Sequence, residues 1–274
     1  MKGAPARQLS IAIGLALLAA PAIAQEGASA DTYLSRERVE GFLAQARIVS
    51  SRPVGDGVTN TRRATMIDGD LTHDAQIQTV DVARTVFGTG KATELNFKDT
   101  YRYNIAGYRL ARLLGIENVP ISVARTIEGH RAAVTWWIDN VAMNEGARVK
   151  TRAVGPDPLR FRHQFDVMYV FDELIQNRDR NLGNILWTAD WTMWLIDHTR
   201  AFRLGRDLLK PERLERCDRA LLAALRALTA ESVKDAAGDS LTKDEIRALL
   251  ARRDRILQHF EQRITDRGEA SVLF

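Results

Sequence analysis

The chain has 274 residues, 45% of them hydrophobic and 27% charged, with 39 Lys and Arg against 35 Asp and Glu and a single cysteine. Those proportions describe a globular chain and exclude a collagen-like repeat, a disordered polyelectrolyte, a polytopic membrane protein and a disulfide scaffold. Leaving out Lys2 and Arg7 at the N-terminus, 37 basic groups face 35 acidic ones, too even a balance to point to nucleic acid.

Taken in chain order, Lys2 and Arg7 precede an uncharged run, Ile11 to Ala24, that ends in Ala22-Ile23-Ala24. A basic start, an apolar run and a small-x-small ending predict a signal peptide over residues 1–24. The run is too short for a bilayer span, which needs roughly 20 apolar residues, and no later stretch is long enough. The expectation is an exported protein, periplasmic or secreted, with no membrane span after cleavage. Residues 25–44 then read as an N-terminal extension, residues 45–140 as a β-rich lobe and residues 141–270 as a helical lobe.

Within the first lobe, Arg47 to Ser51, Thr61 to Ile67 and Ala75 to Val80 are short extended runs, separated by Gly55-Asp56-Gly57 and Asp68-Gly69-Asp70. An Asp-Gly turn between extended runs predicts a hairpin. Tyr101 to Gly115 reads as a helix, with Tyr103, Leu110, Leu113 and Leu114 on one stripe and Gly115 as its stop. Ile121 to Ile127 and Ala132 to Ile138 read as the next two strands, so the order is strands, one helix, two strands.

In the second lobe, Phe161, Phe165, Met168, Asp172 and Ile175 share one face of a buried helix, Phe161 to Gln176. A polar loop follows, Asn177-Arg178-Asp179-Arg180-Asn181-Leu182-Gly183-Asn184, and then two short strands, Ile185 to Trp187 and Trp191 to Ile196, ending on Asp197. Glu212 to Leu228 reads as a helix carrying Cys217, an inert thiol. Thr242 to Glu245 forms a capping box with Leu241 and Ile246 as its hydrophobic staple, opening a long final helix.

The polar loop and the acid after it hold the parts of a phosphoryl-transfer site: a carboxylate to take a hydroxyl proton, an amide oxygen five residues on, and an acid beyond one tight hairpin. Two plainer readings stand beside it. Asn177, Asp179 and Asn181 alternate as in a calcium loop, although the twelfth position is Thr188 instead of Glu; or the Asp and Asn side chains only cap local backbone.

The stretch Asn177 to Asn184 resembles the catalytic loop of the protein-kinase-like superfamily, in particular its atypical branches: phosphatidylinositol kinases, HipA-type kinases and the secretory-pathway kinases of the four-jointed group. Leu195-Ile196-Asp197-His198 resembles their metal-binding motif, and Asn104 to Pro120 is similar to their small-lobe helix and following strand. Ile196 to Phe202 also resembles a segment of exported bacterial proteins of this type. The resemblance implies an α+β fold of two lobes, a small β-rich N-lobe and a larger helical C-lobe. It implies an ATP- and Mg²⁺- or Mn²⁺-dependent phosphotransferase acting on a hydroxyl of unknown identity, with two alternatives: a catalytically inactive nucleotide- or metal-binding module, and nucleotidyl transfer on the same fold.

Carried over by position, Asp179 would accept or orient the acceptor proton, Asn184 and Asp197 would bind the metal, and the turn around Gly55 and Gly57 would cover the phosphates. The third-strand lysine of the superfamily is missing: Gln78 stands at its place, and Asn104 stands where a helix Glu would pair with it. Lys98, ahead of the helix, is the candidate to reach the phosphates instead, with Lys91 second. His198-Thr199 replaces Phe-Gly, and no long activation segment follows Asp197, which argues against a conventional protein-kinase substrate platform.

Overall fold

The computed structural model describes Met1 and residues 34–54, 61–88 and 93–274. The signal-peptide expectation, Gly55, Gly57 and Lys91 lie outside the described residues. Ser35 to Phe274 forms one compact unit.

It begins with α1 (Arg36–Gln45), capped by the Ser35 hydroxyl. Part of the stretch read as an extension thus belongs to the folded unit: Val39, Phe42 and Leu43 are buried against the sheet. Strands β1 (Arg47–Pro53), β2 (Arg62–Asp68) and β3 (Leu71–Gln78) follow as an antiparallel meander. The β2–β3 hairpin turns at Gly69, whose φ of 64° suits a residue without Cβ. A separate hairpin, β4 (Asp81–Gly88) and β5 (Thr93–Thr100), then leads into α2 (Arg102–Leu113). Strands β6 (Ser122–Ile127) and β7 (His130–Trp136) complete a five-stranded sheet of order β1-β2-β3-β7-β6. Ala64, Met66, Ala75, Ile77, Ala132 and Val134 fill its inner face against α1.

The second half opens with β8 (Val141–Asn144), α3 (Glu145–Thr151) and α4 (Pro158–Ile175). The Asp157 carboxylate caps α4, and Pro158 occupies its first turn, where the missing N–H costs nothing. After the polar loop, β9 (Ile185–Thr188) and β10 (Met193–Leu195) join β8 in a three-stranded sheet. Trp191 sits in the turn at φ 62°, so the second strand is shorter than the apolar run Trp191 to Ile196 predicts.

The helical expectation over Glu212 to Leu228 needs correction. Pro211–Arg213 is a single 3-10 turn, and Cys217 lies in an extended link that pairs with Leu273. Helix α5 (Arg219–Ala227) starts only where the Asp218 side chain caps it. Then come α6 (Ala230–Ala237), α7 (Lys243–Arg267) and α8 (Glu269–Val272). The capping box of Thr242 and Glu245 is formed as expected. No helix among the described residues is long and apolar enough to cross a membrane.

Candidate active site

The polar loop is built from its backbone outward. Helix α4 ends at Gln176 in the left-handed region, and the Asn177 carboxamide oxygen accepts from the Asp179 N–H at 3.1 Å. Asn181 accepts from Gly183 N–H at 2.8 Å and opens a short 3-10 turn, Leu182–Asn184. The Asn184 amide nitrogen donates to the Asp179 carbonyl at 3.0 Å. The Ile196 N–H donates to the Asn184 carbonyl at 3.1 Å. The Asn184 side chain thus joins residue 184 to residue 179, and a main-chain bond brings the residue before Asp197 to the same place.

Arg180 ties this arrangement down. Its guanidinium is almost fully buried and clasps both oxygens of Asp172 at 3.0 Å, the inward acid of α4. It also donates to the carbonyls of Asn184 (2.9 Å) and Ile196 (2.8 Å) and meets His198 Nε2 at 3.0 Å. Arginine has no acceptor, so Nε2 accepts and the His198 proton resides on Nδ1. Burial and the Arg180 charge both hold the His198 pKa well below its ordinary value, so the ring stays neutral. The histidine here is a structural bridge between Arg180 and the loop.

Asp197 stands at φ 54°, a conformation that non-glycine residues adopt rarely and that is concentrated at functional sites. Its Oδ1 accepts from the Thr199 hydroxyl at 2.9 Å and the Thr199 N–H at 3.3 Å. Burial raises its pKa; the Thr199 bonds oppose this, and the charges of Asp99 and Asp179 add to it. An electron-rich carboxylate pressed by two others is an attractive place for a cation.

The donor set fits a hard divalent ion. Asn184 uses its NH₂ on a carbonyl and so has its oxygen left to ligate, and Asp197 retains Oδ2. Among the described residues no three His, Cys, Asp or Glu side chains come close enough to hold a metal by themselves. Such an ion would need further oxygens, as Mg²⁺ characteristically takes from substrate phosphates.

The phosphate-binding candidates fare differently. Gln78 and Asn104 do meet: the Asn104 NH₂ donates to the Gln78 side-chain oxygen, while the Asn104 oxygen accepts from His198 N–H at 2.7 Å. Both are buried. A neutral amide pair thus joins β3, α2 and the Asp197 loop where a lysine and a glutamate were expected. Lys98 does not join the carboxylates of the loop; its ammonium pairs with Glu245 at the start of α7. Its neighbour Asp99 points the other way and receives Arg200 Nε at 2.9 Å, and Arg200 reaches within 3.5 Å of Asp179. Neither Asp99 nor Arg200 stood out as a site residue. Arg200 lies inside the segment Ile196 to Phe202 that carries part of the resemblance, but Asp99 gave no signal, because nothing local brings β5 to residue 200.

The aromatic residues are accounted for by packing. Trp136 stacks on His73 at 3.5 Å, Arg63 covers Trp137 at 4.3 Å, and buried Trp187 donates to Glu145 at 2.8 Å. A concavity of about 610 Å³ lined by Ile116, His163, Val167 and Leu221 contains none of the candidate site residues.

Comparison with solved structures decides the fold. Hydra Fam20, determined with a sugar, superposes with a TM-score of 0.67 over 87% of this chain and 91% of its own, at 14% identity. The chain has an atypical protein-kinase-like fold. The Golgi casein kinase superposes at 0.60, with 16% identity over 87% of this chain and 78% of its own; its structure with Mn/ADP bound gives 0.61 at 15% identity. No protein-family model and no curated protein sequence matches the chain. In this kinase-like fold β1 to β7 with α2 form the β-rich part and α4 to α8 the helical part.

Proposed function

We propose that the protein is an ATP- and divalent-metal-dependent phosphotransferase of atypical kinase type, acting on a hydroxyl acceptor. The observation that carries this is the arrangement of the loop within a kinase-like fold: the Asn184 side chain is bound to the Asp179 carbonyl, and the buried Arg180 guanidinium ties the Asn184 carbonyl to that of Ile196, the residue before Asp197. Asp179 is about two-fifths exposed, so its carboxylate is open to an incoming hydroxyl. It would orient that hydroxyl and take its proton as the oxygen bonds to the γ-phosphorus and ADP leaves. Asn184 and Asp197 would hold the Mg²⁺ or Mn²⁺ that neutralises the phosphates. The rest of the rate comes from positioning, which Arg180 and the left-handed turn at Asp197 enforce.

The test uses the protein without residues 1–24. ATP with Mg²⁺ or Mn²⁺ should raise its melting temperature. Asp179→Asn should lower turnover about 100-fold or more, the scale of general-base catalysis. Asp197→Ala should abolish both turnover and metal-dependent nucleotide binding. A wild type that binds no nucleotide would sink the proposal. The neutral Gln78–Asn104 pair favours a second reading, a nucleotide-binding module without transfer; it predicts binding with no turnover. ATP labelled at the α- or the γ-phosphate separates nucleotidyl from phosphoryl transfer by which label reaches the acceptor. The start of the sequence supports export, which cell fractionation with a tagged chain would check.

A further inference from the structure

Three aspartates stand at the candidate site: Asp99 from β5, Asp179 from the polar loop and Asp197 after β10. A nucleoside triphosphate would enter with several negative charges of its own, so the site needs fixed positive charge in addition to any metal. The Gln78–Asn104 pair supplies none. Lys98 is engaged by Glu245, and Arg180 is enclosed by Asp172 and two carbonyls.

Arg200 has the position these residues lack. It lies three residues beyond Asp197, and its guanidinium spans Asp99 at 2.9 Å and Asp179 at 3.5 Å. Burial opposes its charge, but its hydrogen bond to Asp99 and the charges of Asp99, Asp179 and Asp197 hold its pKa above the ordinary value. Its side chain is 37% exposed, so one edge is open to solvent. Asp99 is the reverse: buried, with Oδ1 lacking any hydrogen-bond partner. A backbone bond from Thr100 N–H to the Thr199 carbonyl, 2.9 Å, locks β5 to the Asp197 loop and fixes residues 99 and 200 in register.

We propose that Arg200 is the phosphate-binding residue of this site, placing its guanidinium on the nucleotide's terminal phosphates, and that Asp99 is the positioning residue that holds it there. The inference rests on the reading of the site as one for a nucleotide. The planar fork of arginine can keep one edge on Asp99 and offer the other to phosphate, which a lysine cannot do with a single nitrogen.

The experiment measures adenosine, ADP and ATP binding by titration calorimetry with Mg²⁺, for wild type, Arg200→Gln, Arg200→Lys, Asp99→Asn and the double variant Asp99→Asn/Arg200→Gln. Arg200→Gln should lose about ten- to a hundredfold in ADP and ATP affinity, the scale of a charged hydrogen bond, with adenosine binding unchanged. Arg200→Lys should fall between. Asp99→Asn should weaken ADP binding in the presence of Arg200 and have no effect in its absence. The double variant removes the buried charge together with its partner, so it remains informative if Arg200→Gln does not fold. If Arg200 merely neutralises Asp99, the double variant binds ADP like the wild type, and the proposal is overturned. ADP affinity that is unaltered in Arg200→Gln overturns it as well and leaves the nucleotide reading intact. A wild type that binds neither ADP nor ATP removes the nucleotide reading, and this inference with it.

Discussion

Asp166 is an acid that α4 buries with only partial compensation. One of its oxygens has no hydrogen-bond partner. Burial pushes its pKa up to about 6, against the pull of Arg216 and Arg162. A raised carboxylate pKa means that the folded protein binds more protons than the unfolded chain between the two values. Stability is then greatest below the ordinary Asp range, falls as pH rises from about 4 to about 6 and stays reduced above. Asp166→Asn should therefore be more stable than the wild type by about 1–2 kcal/mol at pH 7.5, with the advantage vanishing near pH 4. Urea unfolding at the two pH values measures it; a constant difference would mean that Asp166 is not buried as a charge. Cys217 follows the same physics in a simpler form. Burial first, and the acids Asp218 and Asp166 second, push its thiol up to about 12. Since the thiolate is the reactive form, native protein at pH 8 should resist iodoacetamide and react only after unfolding.

At the scale of elements, the helix, polar loop and hairpin around residues 161–197 were readable because each carries its own local signal. Helix α4 has its apolar period, although it begins at Pro158, three residues before the Phe161 start that the period alone suggested; the loop has its Asn and Asp residues, and the β9–β10 pair its short apolar runs. Elements without local signals were not read. Strand β4 is exposed along nearly its whole length, so no alternation marks it. Helix α1 buries only three side chains of ten. Asp99 belongs to the site through the pairing of β4 with β5 and the bond from Thr100 to Thr199, which is tertiary information. Gln78 and Asn104 were readable as two facing positions of the resemblance, but their bond as a neutral amide pair, and its reach to the His198 backbone, were not. One close approach between elements is testable. A Cβ on Gly107 of α2 would lie 3.2 Å from the ring of His198. That ring cannot yield, because Arg180 holds one edge and the Asn104 side chain holds the backbone of residue 198. Gly107→Ala gains helix propensity of up to about 1 kcal/mol, yet overpacking costs about 1–3 kcal/mol. The net expectation is a lower melting temperature together with weaker nucleotide binding, since Asp197 moves with His198. An unchanged melting temperature would show that the His198 ring has room to move.

Across the whole molecule, α7 is anchored by two buried side chains, Arg252 within the helical half and Glu245 toward the sheet-bearing half. Arg252, from the middle of the helix, donates to the Leu174 carbonyl at the end of α4 and to the Arg203 carbonyl, at 2.8 and 2.9 Å. Burial lowers its pKa to about 10, so it remains charged at neutral pH. Glu245, in the first turn, accepts from Lys98 of β5, from the Tyr103 hydroxyl of α2 and from the Thr242 N–H. Burial works to raise the Glu245 pKa, but those three donors outweigh it and hold the acid below its ordinary value. For a depressed acid, the stabilisation is present above the unfolded value and lost as pH falls through the folded one. Glu245→Gln should thus cost about 2–3 kcal/mol at pH 7, less than the breaking of a fully buried pair because Lys98 is partly exposed. The difference from wild type should shrink as pH falls below about 4. Lys98→Met tests the same junction from the other side and separates it from the nucleotide site. If Lys98 serves only to hold β5 on α7, the variant melts at a lower temperature while ADP affinity stays within about twofold of wild type, because Arg200 still carries the phosphates. A loss of ADP affinity as large as that of Arg200→Gln would instead return Lys98 to the phosphate-binding role its place ahead of α2 suggested.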